Sequence, residues 1–286
     1  MVEHLARPIP HFDLDVLLAS GDGDESELAL ERRLRDPVEL RARLEELSIL
    51  PQVESLVVDA GERDDVTDEL VERFPQVRWL SGPVGRGAQM NVGARAARGR
   101  WIVFLHADTE LAAGWTRAVS SLEHETNVAG GSFRLALRST AWQARAIEWG
   151  VAWRVRLFDL PYGDQAIFVR RNVFWSLGGY REMALMEDVD LVRRLRKAGY
   201  DMRVLPLTAT SSARRWERDG WWYRSCVNVA LVSLFTLGVA PRRLAPIYYS
   251  GVRVSWRTRP PREYLTPSSR FRSMASTQEP VEPLRR

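Results

Sequence analysis

Apolar positions in this chain follow two rhythms. Val53 to Val58 is a β-branched run that reads as a strand and ends in Asp59-Ala60-Gly61. Trp101 to Leu105 is a compact apolar run, hence a buried strand, and His106-Ala107-Asp108-Thr109 follows at its end. Asp13 to Ala19 and Val77 to Leu80 read as shorter strands. Between these runs the apolar residues recur at helical spacing. They do so over 25–48, with an interruption near Pro37, over 65–73, and from Gly85 to about Arg98, where Gly99 ends the helix. Another helix is expected over 112–124. Strand and helix in alternation predict an α/β fold with a Rossmann-like, mostly parallel sheet flanked by helices. Ligands of such sheets bind beyond the carboxyl ends of the strands, which places Asp59 and Asp108 on one rim.

The second half is less regular. Val128 to Leu137 and Gln165 to Arg170 read as strands. Residues 141–158, Met186 to Lys197 and 217–237 read as helices, the second ending at Gly199. Trp142, Trp149 and Trp153 are spaced more as core residues than as a sugar-stacking platform. Trp221 through Ala240, followed by Arg242-Arg243, fits two descriptions equally: an interfacial helix with basic flanks, or a core helix covering the sheet. Beyond Val252 proline, serine and arginine dominate, so residues 1–250 read as a single domain and 251–286 as a basic, disordered tail.

Composition narrows the function classes. At 286 residues and 45% hydrophobic, the chain can bury a sizeable core. Its net charge is +4, yet Val252 to Arg286 alone holds eight arginines against three glutamates. The basicity therefore belongs to the tail, and no nucleic-acid groove is expected. A single cysteine, Cys226, excludes an internal disulfide or a cysteine-built metal site. Val227 to Ala240 is the longest apolar run, 14 residues, against about 20 for a membrane span. The Met-Val-Glu-His start lacks a signal pattern. The expected location is the cytoplasm, with the inner membrane surface as a peripheral site.

Six motifs occur in order: VVDAGERDD (57–65), GRGAQMNVGARAARG (85–99), FLHADT (104–109), GDQAIFVRR (163–171), LMEDVDLVRRLRKAG (185–199) and RRWERDG (214–220). This series resembles glycosyltransferase family 2, and more narrowly a small bacterial subgroup with a shortened catalytic domain. The resemblance covers roughly 53–245. It implies a GT-A fold with C-terminal helices, a nucleotide-diphosphate sugar donor, Mn2+ or Mg2+, and inversion at the anomeric carbon. Leu14 to Glu25 lacks the proline that usually closes the family's first strand.

The resemblance also implies roles, each with a plainer alternative. Asp59 would accept a hydrogen bond from the nucleobase, commonly a uracil N–H, which favours a UDP-sugar, with Asp64 assisting. The alternative is a strand-end turn. Arg86 and Asn91 would contact the donor near a helix start; the alternatives are a surface turn and a helix-packing amide. Asp108 would hold the metal in the place of the family's DxD motif. His106, where that motif has its first aspartate, is either a second ligand or a packed strand-end residue. Asp188 would be the general base and Glu187 would orient the acceptor, although acids at a helix start also complement its dipole. Gly163, Asp164 and Gln165 would line the sugar or acceptor side, or form a simple turn. Arg215 and Trp216 would reach the diphosphate or acceptor, or belong to a charged surface.

The expected activity is therefore transfer of a sugar to a hydroxyl acceptor. Neither the sugar, the acceptor nor the oligomeric state follows from the sequence. Two other classes compete: a non-catalytic nucleotide-sugar-binding or scaffold protein, and a nucleotidyltransferase. The second is disfavoured because residues 20–25 contain no lysine.

Overall fold

The computed structural model describes residues 14–20, 37–59, 65–158 and 161–249. The β-branched and aromatic runs become the centre of one eight-stranded sheet, ordered β3-β2-β1-β4-β7-β6-β8-β5. The strands are β1 (Leu14–Ser20), β2 (Val53–Asp59), β3 (Arg78–Ser81), β4 (Trp101–His106), β5 (Glu110–Leu111), β6 (Val128–Arg138), β7 (Phe168–Arg170) and β8 (Asp201–Ser212). The first four are parallel, as their alternation with helices requires. β7 then runs antiparallel to both β4 and β6, β6 and β8 are parallel, and β5 is antiparallel to β8. The sheet is mixed: the first half is parallel throughout, and the second half combines the long parallel β6–β8 ladder with antiparallel pairs.

Period-two alternation along the central strands supplies two cores. Trp101, Val103 and Leu105 of β4 join Val57, Leu70, Phe74, Phe133 and Phe168 on one side. Ile102 and Phe104 join Leu56, Met90, Val169, Phe174, Leu191 and Leu195 on the other. The first side is covered by α1 (Pro37–Ser48) and α2 (Asp65–Arg73), the second by α3 (Arg86–Ala96), α6 (Arg171–Ser176) and α7 (Glu187–Lys197). Between them in sequence lie α4 (Trp115–Ser120) and α5 (Trp142–Phe158). The chain continues into α8 (Arg214–Asp219), α9 (Trp221–Thr236) and α10 (Pro241–Tyr249).

Two adjacent glycines in β6 let the strands close up. A Cβ on Gly131 would lie 2.0 Å from the Arg203 carbonyl oxygen and 2.4 Å from the Phe168 ring, and one on Gly130 would lie 2.6 Å from the Phe168 carbonyl oxygen. Only residues without side chains fit there.

Several elements differ from the sequence expectation. The strand expected over 165–170 is a 3-10 turn, Gly163–Gln165, followed by the three residues of β7. The helix expected over 217–237 is two helices, broken at Gly220, whose φ of 92° suits glycine. The 112–124 helix begins only at Trp115, with 3-10 geometry over Ser121–His124. β8 and α10 were not anticipated at all. The expected helical stretch before Pro37 and the tail beyond 250 lie outside the described residues.

Candidate active site

β1 ties two strand ends to one rim. Its parallel register sets Ser20 beside Asp59 of β2 and Ala19 beside His106 of β4. Asp59 and His106 thus flank β1 at the same edge, and Asp108 lies in the turn just after β4. All three are partly exposed. Asp64 lies outside the described residues.

Three segments distant in sequence meet at the start of α7. Glu187 and Asp188 are both buried, at 3% and 9% exposure. Arg86, the first residue of α3, reaches across: its Nε lies 3.1 Å from Glu187 Oε1 and its Nη2 lies 3.8 Å from Asp188 Oδ2. From a third direction the Gly163 N–H donates to Asp188 Oδ2 at 2.6 Å. Gly163 lets Arg86 come close: a Cβ there would sit 2.0 Å from Arg86 Nη2 and 3.1 Å from Asp188 Oδ2, so a side chain would push the guanidinium aside. Such a pair is held in place by charge and hydrogen bonds where water is largely excluded.

Backbone strain marks the same place. Among the described residues, Ala166 (φ 48°) and Met186 (φ 72°) are the non-glycine residues in the left-handed region. One follows the Gly163–Gln165 turn and the other directly precedes Glu187. Such conformations cost of order 1–3 kcal/mol and persist where the surroundings over-determine them.

Asp164 adds a further carboxyl. Its Oδ1 has no solvent contact and no hydrogen-bond partner. Burial pushes its pKa up to about 6; the Asp188 and Asp108 charges push in the same direction, and Arg154 and Arg86 oppose them. Gln165 is fixed rather than free: its Nε2 donates to the Phe133 carbonyl at 3.0 Å, while its Oε1 accepts from Arg154 and from the Tyr162 N–H. Arg154 also stacks over the Tyr162 ring at 3.4 Å. Thr109, Ser211 and the Asp164 carbonyl form a hydrogen-bonded chain that joins the turn after β4, the end of β8 and the 163–165 turn.

The remaining candidates stand further out. Asn91 uses both ends of its amide on the Tyr180 backbone, at 2.8 and 2.9 Å, so it braces the loop before α7. Arg215 donates to the Tyr248 hydroxyl at 2.6 Å. Trp216 donates to Ser225 and packs beside Leu137, Ala144 and Ile147. Sequence reasoning missed Arg154, Thr109 and Ser211. Arg154 left one trace: it continues, as a charged residue, the inward stripe of Ala144, Ile147 and Val151. The tryptophans of α5 correct an expectation outright. Trp142, Trp149 and Trp153 were expected in the core, and they are 66%, 68% and 45% exposed.

A hard divalent ion would fit the rim. It takes one or two carboxylates and completes its shell with phosphate oxygens and water. Among the described residues no three His, Cys, Asp or Glu side chains converge into a full cage. Asp108 and the unpartnered, buried oxygen of Asp164 nevertheless place negative charge where a cation would relieve it.

No curated protein matches the chain in sequence. Similar solved structures include S. aureus TarS, at 13% identity and a TM-score of 0.48 over 81% of this chain and 41% of TarS. Another is glucosyl-3-phosphoglycerate synthase from Mycobacterium tuberculosis, solved with Mn2+, UDP and glucosyl-3-phosphoglycerate, at 15% identity and a TM-score of 0.46 over 70% of each chain. The chain thus spans less than half the length of TarS. The sequence pattern of Glycosyl transferase family 2 matches residues 38–185, just over half of the chain. That match takes in the rim after β2 and β4, Arg86 and the 163–165 turn, and by it the chain belongs to Glycosyl transferase family 2.

Proposed function

We propose that the chain transfers a sugar from a nucleotide-diphosphate donor to a hydroxyl acceptor with inversion, using Asp188 as general base. The observation that carries this reading is the convergence of Arg86, Gly163 and the buried Glu187-Asp188 pair at one helix start. A carboxylate with Oδ2 pinned by a backbone N–H has a fixed direction, which a base aimed at one hydroxyl requires. Asp188 takes the acceptor proton as the acceptor oxygen bonds to the anomeric carbon. The bond from that carbon to the diphosphate oxygen breaks at the same time, and its electron pair leaves with the diphosphate. Glu187 holds Arg86 in the cleft, and the Arg86 guanidinium is a bidentate partner for phosphate oxygens.

The rim supports a donor site. Asp59 offers an acceptor suited to the imide N–H of uracil, which favours a UDP-sugar. Asp108 would hold Mn2+ or Mg2+, with His106 beside it at the same edge; the ion would offset charge on the departing diphosphate. The decisive experiment is donor titration with UDP-sugars in the presence and absence of Mn2+, on the wild type and on Asp108→Ala. The expected result is Mn2+-dependent binding that Asp108→Ala abolishes while its melting curve is unchanged. Equal donor affinity in the two proteins at saturating Mn2+ would refute the metal assignment, and no binding of any nucleotide sugar would refute the reading as a whole.

A further inference from the structure

Two helices turn the wrong residues outward. Along α5 the exposed positions include Trp142, Arg145, Trp149, Trp153, Arg156 and Leu157, which share one helical face. Along α9 the exposed positions include Trp222, Cys226, Val229, Ser233 and Leu234, with Leu237 just beyond its end, and none of them is charged. The Trp142 and Trp222 rings touch, with centroids 5.8 Å apart, and Trp149 and Trp153 touch at 5.7 Å. The two faces are therefore one continuous surface. Exposed apolar areas of this kind mark interaction sites.

The charge pattern selects the partner. The two helices carry one acidic residue between them, Glu148, and it is turned inward, accepting the Leu137 N–H and pairing with Arg145. Arg145 and Arg156 are exposed on the aromatic face of α5, and Arg242 and Arg243 are exposed at the start of α10, which packs on α9. The chain that continues beyond α10 has a surplus of five arginines over acids from Val252 onward, eight against three. Tryptophan seated among arginines, with no exposed carboxylate on either helix, matches the headgroup layer of an anionic bilayer in both polarity and sign. No described helix is long and apolar enough to cross a membrane, so the contact is with the surface.

We infer that the joined outer faces of α5 and α9 dock on an anionic lipid surface, with the tryptophans at headgroup depth and the arginines against lipid phosphates. α5 connects this face to the candidate active site, because its Arg154 turns inward onto Tyr162 and Gln165. A docked molecule would thus hold the 163–165 turn on the far side of α5 from the lipid.

The test is co-sedimentation of the full chain with phosphatidylcholine vesicles, with and without phosphatidylglycerol, at low and high salt. Analytical ultracentrifugation of the vesicle-free protein runs alongside. Binding is expected only with phosphatidylglycerol and should weaken with salt. Trp149→Ala combined with Trp153→Ala should weaken it at least about tenfold, and Arg156→Ala with Arg242→Ala by about thirtyfold, at about 1 kcal/mol per basic residue near the surface. Both variants should melt as the wild type does. The inference is overturned if the wild type ignores phosphatidylglycerol vesicles or if the tryptophan variant binds them equally. It is also overturned if the substitutions act only by dispersing a dimer seen without lipid, which would assign the face to a second copy. None of these readouts depends on sugar transfer.

Discussion

α7 and α5 depart from the usual helix pattern in opposite directions. α7 buries three carboxyls, Glu187, Asp188 and Asp190, in its first turn. α5 exposes three tryptophans. Each arrangement carries a cost in an isolated molecule: buried charge must be compensated, and exposed aromatic surface stays in contact with water. The compensation is visible for α7, where arginines and backbone N–H groups meet every acid. For α5 it is partial: Trp142 meets Trp222 and Trp149 meets Trp153, and the outer ring faces stay exposed. Buried acids thus belong to interactions within the protein, whereas exposed aromatics are where the proposed lipid contact would act.

The largest expected effect separates the acids of α7 from one another. Asp188→Asn preserves size and hydrogen bonding and cannot accept a proton, so turnover should fall by about 10²–10⁴-fold with donor affinity almost unchanged. Near-normal turnover in a steady-state assay, or a defect confined to donor binding, would defeat the base assignment. Asp190 lies two residues on and has a different job. Its carboxylate accepts from Arg181 at 3.1 Å and from Arg194 at 2.7 Å, and Arg194 also donates to the Leu177 and Gly179 carbonyls. Asp190→Ala should therefore cost about 1–3 kcal/mol of stability, because the half-buried Arg194 loses its carboxylate but keeps its two carbonyl partners. Denaturant unfolding reads this directly, and a loss below about 1 kcal/mol would place Asp190 with the surface ion pairs instead.

A smaller effect concerns Asp164, whose carboxyl is held up to about 6 chiefly by burial. A raised carboxyl pKa means the fold favours the protonated form. Its contribution is fully present below the unfolded value near 3.8 and is lost as pH rises through about 6. Asp164→Asn should then melt above the wild type at pH 7 and match it near pH 4, with a gain below about 3 kcal/mol given the residue's partial exposure. A difference independent of pH, measured without added divalent ions, would show that ionisation of Asp164 is not what the fold resists. The smallest effect is on α5, where Trp149→Ala should shift stability by no more than about 0.5 kcal/mol. A large shift would move Trp149 from the exposed surface into the packed structure and end the contrast with α7.

Much of the fold was legible because burial writes itself into local sequence. β2 and β4 are buried along almost their entire length, and no helix periodicity competes with them. β8 was not legible. Its twelve residues alternate irregularly between exposed and buried, include Pro206, and end in threonines and serines. What makes it a strand is a ladder with β6, a partner far away in sequence. The site shows the same division. Arg86, Gly163, Glu187 and Asp188 each stood out within a local motif, but their meeting is a tertiary fact that spacing cannot give. Arg154 was overshadowed by the tryptophans of its own helix, and those tryptophans were misplaced because helical spacing alone does not say which face is covered.

The position of β8 also bears on how the chain acquires its shape. β1 to β4 pair among themselves within the first 106 residues, whereas β5, at Glu110–Leu111, must wait for Thr210 and Ala209 before it has a partner. β6 likewise stays half-paired until Asp201 to Ser212 arrive. Parallel ladders between remote segments raise contact order and slow folding, because loop entropy is lost before the contacts form. On a ribosome, the first half of the sheet can settle while the second half is still being made. For several seconds, at about 5–20 residues added per second, the β6 edge remains open to wrong partners. Whatever protects that edge during synthesis must act between the emergence of Arg138 and that of Ser212.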